Sequence, residues 1–397
     1  EMCIRDSYKD GVEVEKGDAL IGPRMPLGPR EKLTYTIPYD YSALEPGSEY
    51  YVNVAFRLAN DTPWAKAGYV QMDEQLPVKG ATGIHCIACS AKGGKVTTEK
   101  TKGFETIKGD NFEAKFDLST GTLSTLNYGG MEVIVPGHGP TLDAFRAYMN
   151  NDTWVYGQWF ANGLYNLKHR VTACETFTDK NGNPVLSFTI ESQAPNGGRM
   201  VGGNGNSRGT YSIDEKNAEP FGPDDFKFTT NQIWTVYPDG SIELNAVISS
   251  NNASLILPRL GYVMEVPDKL GEFTYYGRGP EENYNDRLTG QFVGRYSRKV
   301  KDMMTDYTRP QSNANREEVR WAALTDGNKG AIFVAPGMMS TTAIPYTEME
   351  LFTANHPYKL PASNRTVLHL DLGVTGLGGA SCGQGGPLEN QRVMATS

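Results

Sequence analysis

No apolar run in this sequence approaches the ~18–20 residues a helix needs to cross a bilayer, so no segment reads as a membrane-spanning helix. Basic residues are outnumbered: 38 Lys and Arg face 46 Asp and Glu, for a formal charge of −8. Without a basic stripe to follow a phosphate backbone, a nucleic-acid partner is not expected. Cysteines number five, an odd count without framework spacing. Cys86 and Cys89 make a lone C-x-x-C. A zinc site usually needs four ligands, so two reduced thiols near a connector are the plainer reading beside a metal or redox role. Helical periodicity is almost missing after residue 104, and no alternation of strands and helices could build a barrel. No internal repeat is evident.

Glycine and short alternating strands are what the chain has in quantity. The 44 glycines among 397 residues favour many turns over long helices. Tyr50, Val52, Val54, Phe56 and Leu58 share one face of a strand, with Asn53 and Arg57 on the other. Leu33, Tyr35 and Ile37 alternate in the same way before the Pro46-Gly47 turn. Residues 90–103 are lysine-rich and poor in apolar anchors, an exposed connector with room for one edge strand. Beyond it, Phe112 to Leu118 turns at Ser119-Thr120-Gly121 into Leu123 to Tyr128. Trp234 to Tyr237 turns at Asp239-Gly240 into Ile242 to Ile248, a hairpin signal. Ala331 to Ala335 and Val367 to Leu372 continue the series, and a turn or two of helix fits Glu348 to His356. The expected fold is all-β: a partial immunoglobulin-like β-sandwich over 1–85, a linker over 86–103, and a large antiparallel β-supersandwich over 104–397. Residues 1–7 begin with Glu1 and show neither a signal-peptide core nor a strand pattern, so they are expected to be a truncated or foreign edge outside the fold.

Several constellations could carry chemistry. Arg146, Asn151 and Asp152 lie within Phe145–Asp152, where a guanidinium fork suits carboxylates or vicinal hydroxyls. Arg146 and Asp152 could equally pair to brace a loop. Trp154, Tyr156, Trp159, Phe160 and Tyr165 follow; such rings suit the apolar faces of sugars, although core packing explains most buried aromatics. Tyr275 to Arg287 crowds Glu281, Glu282, Asn283, Asp286 and Arg287 behind Gly279-Pro280, and reads first as a corner with internally satisfied polar groups. Glu281 and Glu282, adjacent on extended chain, point opposite ways and are no catalytic pair. Leu372 to Gly383 is dense in glycine, as where a backbone approaches something closely. His369 and Asp371 share a strand face; a core histidine is the plainer reading beside acid–base work. Gly197 to Gly209 lacks the ending and context of a phosphate loop and reads as a surface loop.

Residues 276–287, Tyr-Gly-Arg-Gly-Pro-Glu-Glu-Asn-Tyr-Asn-Asp-Arg, resemble the G-x-G-P-x-E-N-Y-x-D-R signature in the C-terminal domain of glycoside hydrolase family 2 β-galactosidases. Phe145–Asp152 resembles that family's R-A-P-x-D-N-D run, with Tyr148 in place of Pro and Asn150 in place of the first Asp. Asp61-Thr62-Pro63-Trp64-Ala65 is similar to a run in the sandwich after the barrel. Gly376 to Gly383 resembles the terminal G-x-G-G-x-S-[W/C]-G motif, with Cys382 where some members carry a stacking Trp.

The resemblance implies a large sandwich of the galactose mutarotase type and hydrolysis of terminal non-reducing β-D-galactose residues. It places Arg146, Asn151, Asp152 and Cys382 on the substrate side. The family's two catalytic glutamates sit on a barrel to which nothing here corresponds, so no catalytic residue is carried over and the chain alone is expected to be inactive. Expected partners are a galactoside or lactose-like carbohydrate and the missing N-terminal and barrel domains of the same protein, with no nucleic acid and no membrane. Mg²⁺, Na⁺ or Ca²⁺ belongs to the full-length enzyme, and no cofactor is evident in this chain. The compartment is left open between bacterial cytoplasm and periplasm. A free-standing carbohydrate-binding module and an aldose mutarotase-like epimerase stand as alternatives.

Overall fold

The structure, a computed structural model, describes residues 2–21, 29–32, 34, 36, 39–79, 94–194, 222, 225–379 and 385–395. Near the N-terminus, β1 (Met2–Lys9), β2 (Val12–Ile21), β3 (Tyr50–Arg57) and β4 (Val70–Lys79) form an antiparallel sheet in the order β2-β1-β3-β4. The β3 side chains alternate between buried and half-buried from Tyr50 to Val54, as period-two patterning requires.

Residues 2–7, expected to stay outside the fold, instead lie within β1. That strand pairs with β3 along its whole length, from Met2 opposite Arg57 to Lys9 opposite Tyr50. Its two-residue turn into β2 is Asp10-Gly11, both with positive φ (48° and 77°), which is why an Asp-Gly pair serves there. The alternating Leu33, Tyr35 and Ile37 fall outside the described residues.

Five strands then pair in chain order: β5 (Thr97–Thr101), β6 (Phe104–Lys108), β7 (Phe112–Asp117), β8 (Thr122–Tyr128) and β9 (Met131–Glu132). β5 is the exposed edge of this sheet. After β10 (Thr141–Asp143) and the short helix α1 (Tyr156–Ala161) comes a four-stranded meander: β11 (Lys168–Thr178), β12 (Pro184–Gln193), β13 (Lys227–Val236) and β14 (Ile242–Ser250). The remaining elements are β15 (Ile256–Leu257), β16 (Arg259–Pro267), β17 (Glu272–Gly279), β18 (Phe292–Lys299), β19 (Arg316–Thr325), β20 (Gly330–Ile344), α2 (Glu348–Thr353), β21 (Arg365–Val374) and β22 (Val393–Met394). β15 and β22 pair with each other, and the other six strands join β10 in one seven-stranded sheet, in the order β10-β16-β21-β20-β19-β17-β18.

One apolar core joins the three larger sheets that follow residue 94. Phe116 on β7, Phe188 on β12, Trp234 on β13 and Val266, Phe273, Leu324 and Leu368 on the seven-stranded sheet are all buried in it. Packing sheet faces together in this way is what an all-β supersandwich requires. The helix α2 starts where expected, with Thr347 and Glu350 making a reciprocal capping box.

The N-terminal sheet docks on β17 to β19 through polar contacts. Gln75 exchanges two hydrogen bonds with the backbone of Val293, at 2.9 and 2.7 Å. Arg320 grips Glu49 with Nε at 2.9 Å and Nη2 at 2.6 Å, and the Tyr276 hydroxyl donates to the same carboxylate at 2.6 Å. Burial by itself would raise the Glu49 carboxyl, yet these donors hold it below its ordinary value.

Candidate functional site

Two buried polar clusters lie at and beyond the end of β21. The first surrounds the glycine segment after Val374. Gly378 and Gly379 both take left-handed φ, 68° and 72°, so the chain turns there at positions that strain other residues. Space adds a second restriction: a Cβ on Gly378 would lie 2.4 Å from the Gly385 carbonyl oxygen, and one on Gly379 2.7 Å from Asn151 Nδ2.

Three sequence motifs converge on this turn. The Asp286 carboxylate accepts from the backbone N–H groups of Leu377 at 3.1 Å and Gly378 at 2.8 Å. Arg287 donates to the Gly378 carbonyl at 2.7 Å, and Asn285 donates to the carbonyls of Val374 and Gln391 at 2.9 and 3.0 Å. Arg146 supports the segment from the other side, donating to the carbonyls of Thr375 and Gly376. Its Nε and Nη2 also hold the two Asp152 oxygens, at 3.1 and 2.5 Å, while Asp152 accepts from the Met149 N–H at 3.0 Å.

Arg146 and Asp152 are therefore both fully buried and bonded to each other, in the bracing arrangement. Asn151, half-buried beside them, donates to the Gly378 carbonyl at 3.5 Å. Cys382, Cys86, Cys89 and the loop from Gly197 to Gly209 lie outside the described residues. Of the aromatic group, Tyr156, Trp159, Phe160 and Tyr165 are in the core. Trp154 is only half-buried; it lies against Gly386 and under the Arg392 guanidinium, whose carbon is 5.3 Å from its ring.

The corner from Gly279 to Arg287 satisfies its own polar groups. Glu281 pairs with Arg298 at 3.0 Å, whereas Glu282 accepts from the Tyr307 hydroxyl and from the Ala314 N–H at 2.8 Å. Asn283 donates to the carbonyls of Arg278 and Glu281 and accepts from the Glu317 N–H.

The second cluster lies on β10, β16 and β21. His369 and Asp371 are both buried, but they do not pair with each other. His369 Nδ1 stands 3.2 Å from Asp143 Oδ2, and Asp371 stands 3.3 Å from Arg259. Arg259 also donates to Glu348 at 3.0 Å. Ser312 and the Ala147 N–H give Glu348 further donors, at 3.1 and 2.6 Å. Burial pushes the Asp371 carboxyl up to about 6 despite Arg259. Glu317, held by Asn315 at 2.7 Å and Ser340 at 2.8 Å, is pushed up to about 7, again by burial.

Sequence reasoning missed Asp143, Arg259 and Glu348. The one available signal was a charged residue inside an apolar stretch, as Arg259 is within Leu257-Pro258-Arg259-Leu260. Among the described residues no three His, Cys, Asp or Glu side chains are placed to hold a metal ion, and no helix is long and apolar enough to cross a membrane.

The chain is similar to the β-galactosidase of Priestia megaterium, at 29% identity over 94% of this chain and 32% of that protein. It is likewise similar to the β-galactosidase of Lactobacillus delbrueckii subsp. bulgaricus, at 28% identity over 89% of this chain and 31% of the relative. It thus spans about a third of the length of these curated relatives. A solved Salmonella typhimurium structure described as a mutarotase superposes over 69% of the chain at 11% identity and a TM-score of 0.28, too loose a match to bear on fold or activity. Residues 3–79, β1 included, match the family described as β-galactosidase domain 4. Residues 108–396, which hold both polar clusters, match the β-galactosidase small chain, and the chain belongs to that family.

Proposed function

We propose that this chain is the C-terminal portion of a β-galactosidase that removes terminal non-reducing β-D-galactose with retention of configuration. In this reading residues 1–85 and 104–397 are two all-β units of the longer protein. The segment from Thr375 to Gly379, with Asn151, Trp154 and Cys382, forms one wall of the galactose pocket. The observation that carries the reading is the convergence of the Arg146–Asp152, Asn285–Arg287 and glycine-rich motifs on a single backbone turn. Arg146 and Asp152 have no surface to offer a sugar, so their part is to hold the wall in place.

Retaining hydrolysis needs two carboxylates ~5–5.5 Å apart, one as nucleophile and one as acid and then base. Glu348, a buried glutamate of the second cluster, already answers Arg259, Ser312 and the Ala147 N–H. Both catalytic groups are therefore assigned to a barrel outside this chain. In this reading any Mg²⁺, Na⁺ or Ca²⁺ belongs to the full-length enzyme.

The test is a chimera in which this chain replaces the corresponding third of the Priestia megaterium enzyme. Asp286→Ala in that chimera is expected to lower kcat/KM for a nitrophenyl β-galactoside by about tenfold or more through misplacement of the wall. A chimera that folds and is indifferent to this substitution would remove the glycine segment from the pocket.

A further inference from the structure

The cavity beside His369 has no part in the wall just described. It measures about 240 Å³, and its lining includes Leu142, Asp143, Phe145, Tyr165, His169 and His369. At ~30 Å³ per water this is room for about eight water molecules, a little under the size range of drug-binding pockets. His369 is 2% exposed, yet neither ring nitrogen has a hydrogen-bond partner among the described residues. Asp143 Oδ2, 3.2 Å away, accepts no hydrogen bond either. Buried polar atoms are rarely left in this condition without a purpose.

We infer that this cavity is a second carbohydrate site, which takes one neutral monosaccharide ring and needs no barrel to do so. The chemistry of the lining selects that class. Asp143 and Glu348 face the single guanidinium of Arg259, so there is no surplus of cations to attract a phosphate or carboxylate. Burial pushes His169 down to about 4, so at neutral pH its ring is uncharged. A neutral imidazole has one nitrogen that donates and one that accepts, and a carboxylate only accepts; hydroxyl groups, which do both, complement this set. Leu142, Phe145 and Val263 supply apolar wall against which the C–H faces of a sugar ring can rest. The polar groups converge on the cavity from three elements: Asp143 on β10, His169 on β11 and His369 on β21.

The experiment titrates the chain, by calorimetry and by NMR of its histidine rings, with galactose, with glucose and separately with inorganic phosphate. Saturable millimolar binding of a monosaccharide is expected, with the ring signals of His369 and His169 moving together. Thr141→Trp, which places a large ring in the cavity lining, should weaken that binding by about tenfold or more. Should Thr141→Trp lower the melting temperature, the His369 signals of the unaltered chain decide the matter by themselves. No saturable response to either sugar, saturation that leaves both histidines unmoved, sugar binding that a well-folded Thr141→Trp retains, or phosphate binding in place of sugar would each overturn the inference.

Discussion

Arg146 and Arg259 are each buried with carboxylates, and they are finished differently. Arg146 engages both Asp152 oxygens and two backbone carbonyls. Arg259 reaches Glu348, but its Nε and both oxygens of neighbouring Asp371 lack hydrogen bonds among the described residues. A fully paired buried network holds one geometry rigidly, while a partly paired one keeps polar capacity in reserve. The first cluster is a brace for a backbone turn; the second contributes Asp143, Glu348 and His369 to the lining of a cavity.

The sharpest way to break this contrast is Arg146→Ala. It strands the Asp152 carboxylate in the interior and should cost about 3–5 kcal/mol in urea unfolding. Arg146→Lys should recover only part of that loss, because an ammonium cannot match the two-pronged grip. Loss of less than about 1 kcal/mol, the value of an exposed pair, would mean the brace is no brace.

Asp371 tests the other side. Its carboxyl lies at about 6 in the folded chain against an ordinary 3.8, so the folded state holds a proton that the unfolded chain has released. Its contribution to stability is therefore full below about pH 4 and declines as the pH rises through 6, by roughly 3 kcal/mol. Glu317, ordinarily 4.5 and here about 7, extends the decline to neutral pH. The slope of melting temperature from about pH 4 to about pH 8 should flatten in Asp371→Asn and again in Glu317→Gln. A slope unchanged by both substitutions would contradict the assignment.

The two clusters also differ in how far they could be read in advance. The strands and hairpins were legible wherever side chains alternate, as in β3, or a turn carries Asp-Gly, as between β13 and β14. β1 escaped because its sequence, Met-Cys-Ile and then Arg-Asp-Ser, does not alternate between apolar and polar residues; only Asp10-Gly11 marks the turn that follows it. The brace lies in contiguous motifs, Arg146 to Asp152 and Asn285 to Arg287, so its members could be named, although the residues alone left bracing and sugar binding level. The cavity draws Asp143, His169, Glu348 and His369 from separate strands and a helix, and no local spacing records that meeting.

Smaller effects refine the picture. Asp286→Ala removes the acceptor of two backbone N–H groups and should cost about 1–2 kcal/mol while speeding amide exchange at Leu377 and Gly378. Lys66→Ala breaks a 2.6 Å pair with Asp61 in which both side chains are exposed, and no change in the unfolding midpoint is expected. An Asp286→Ala chain with unaltered exchange at both amides would show that the turn stands without its clamp.

The account rests on this chain being a wall whose reacting carboxylates lie on another part of the protein, and one assay addresses that directly. Purified chain, free of other galactosidase activity, is incubated with nitrophenyl β-D-galactoside and nitrophenol is followed. No release above the buffer rate is predicted; steady turnover that disappears in an Asp143→Asn or Glu348→Gln variant would place the chemistry inside this chain and contradict the account.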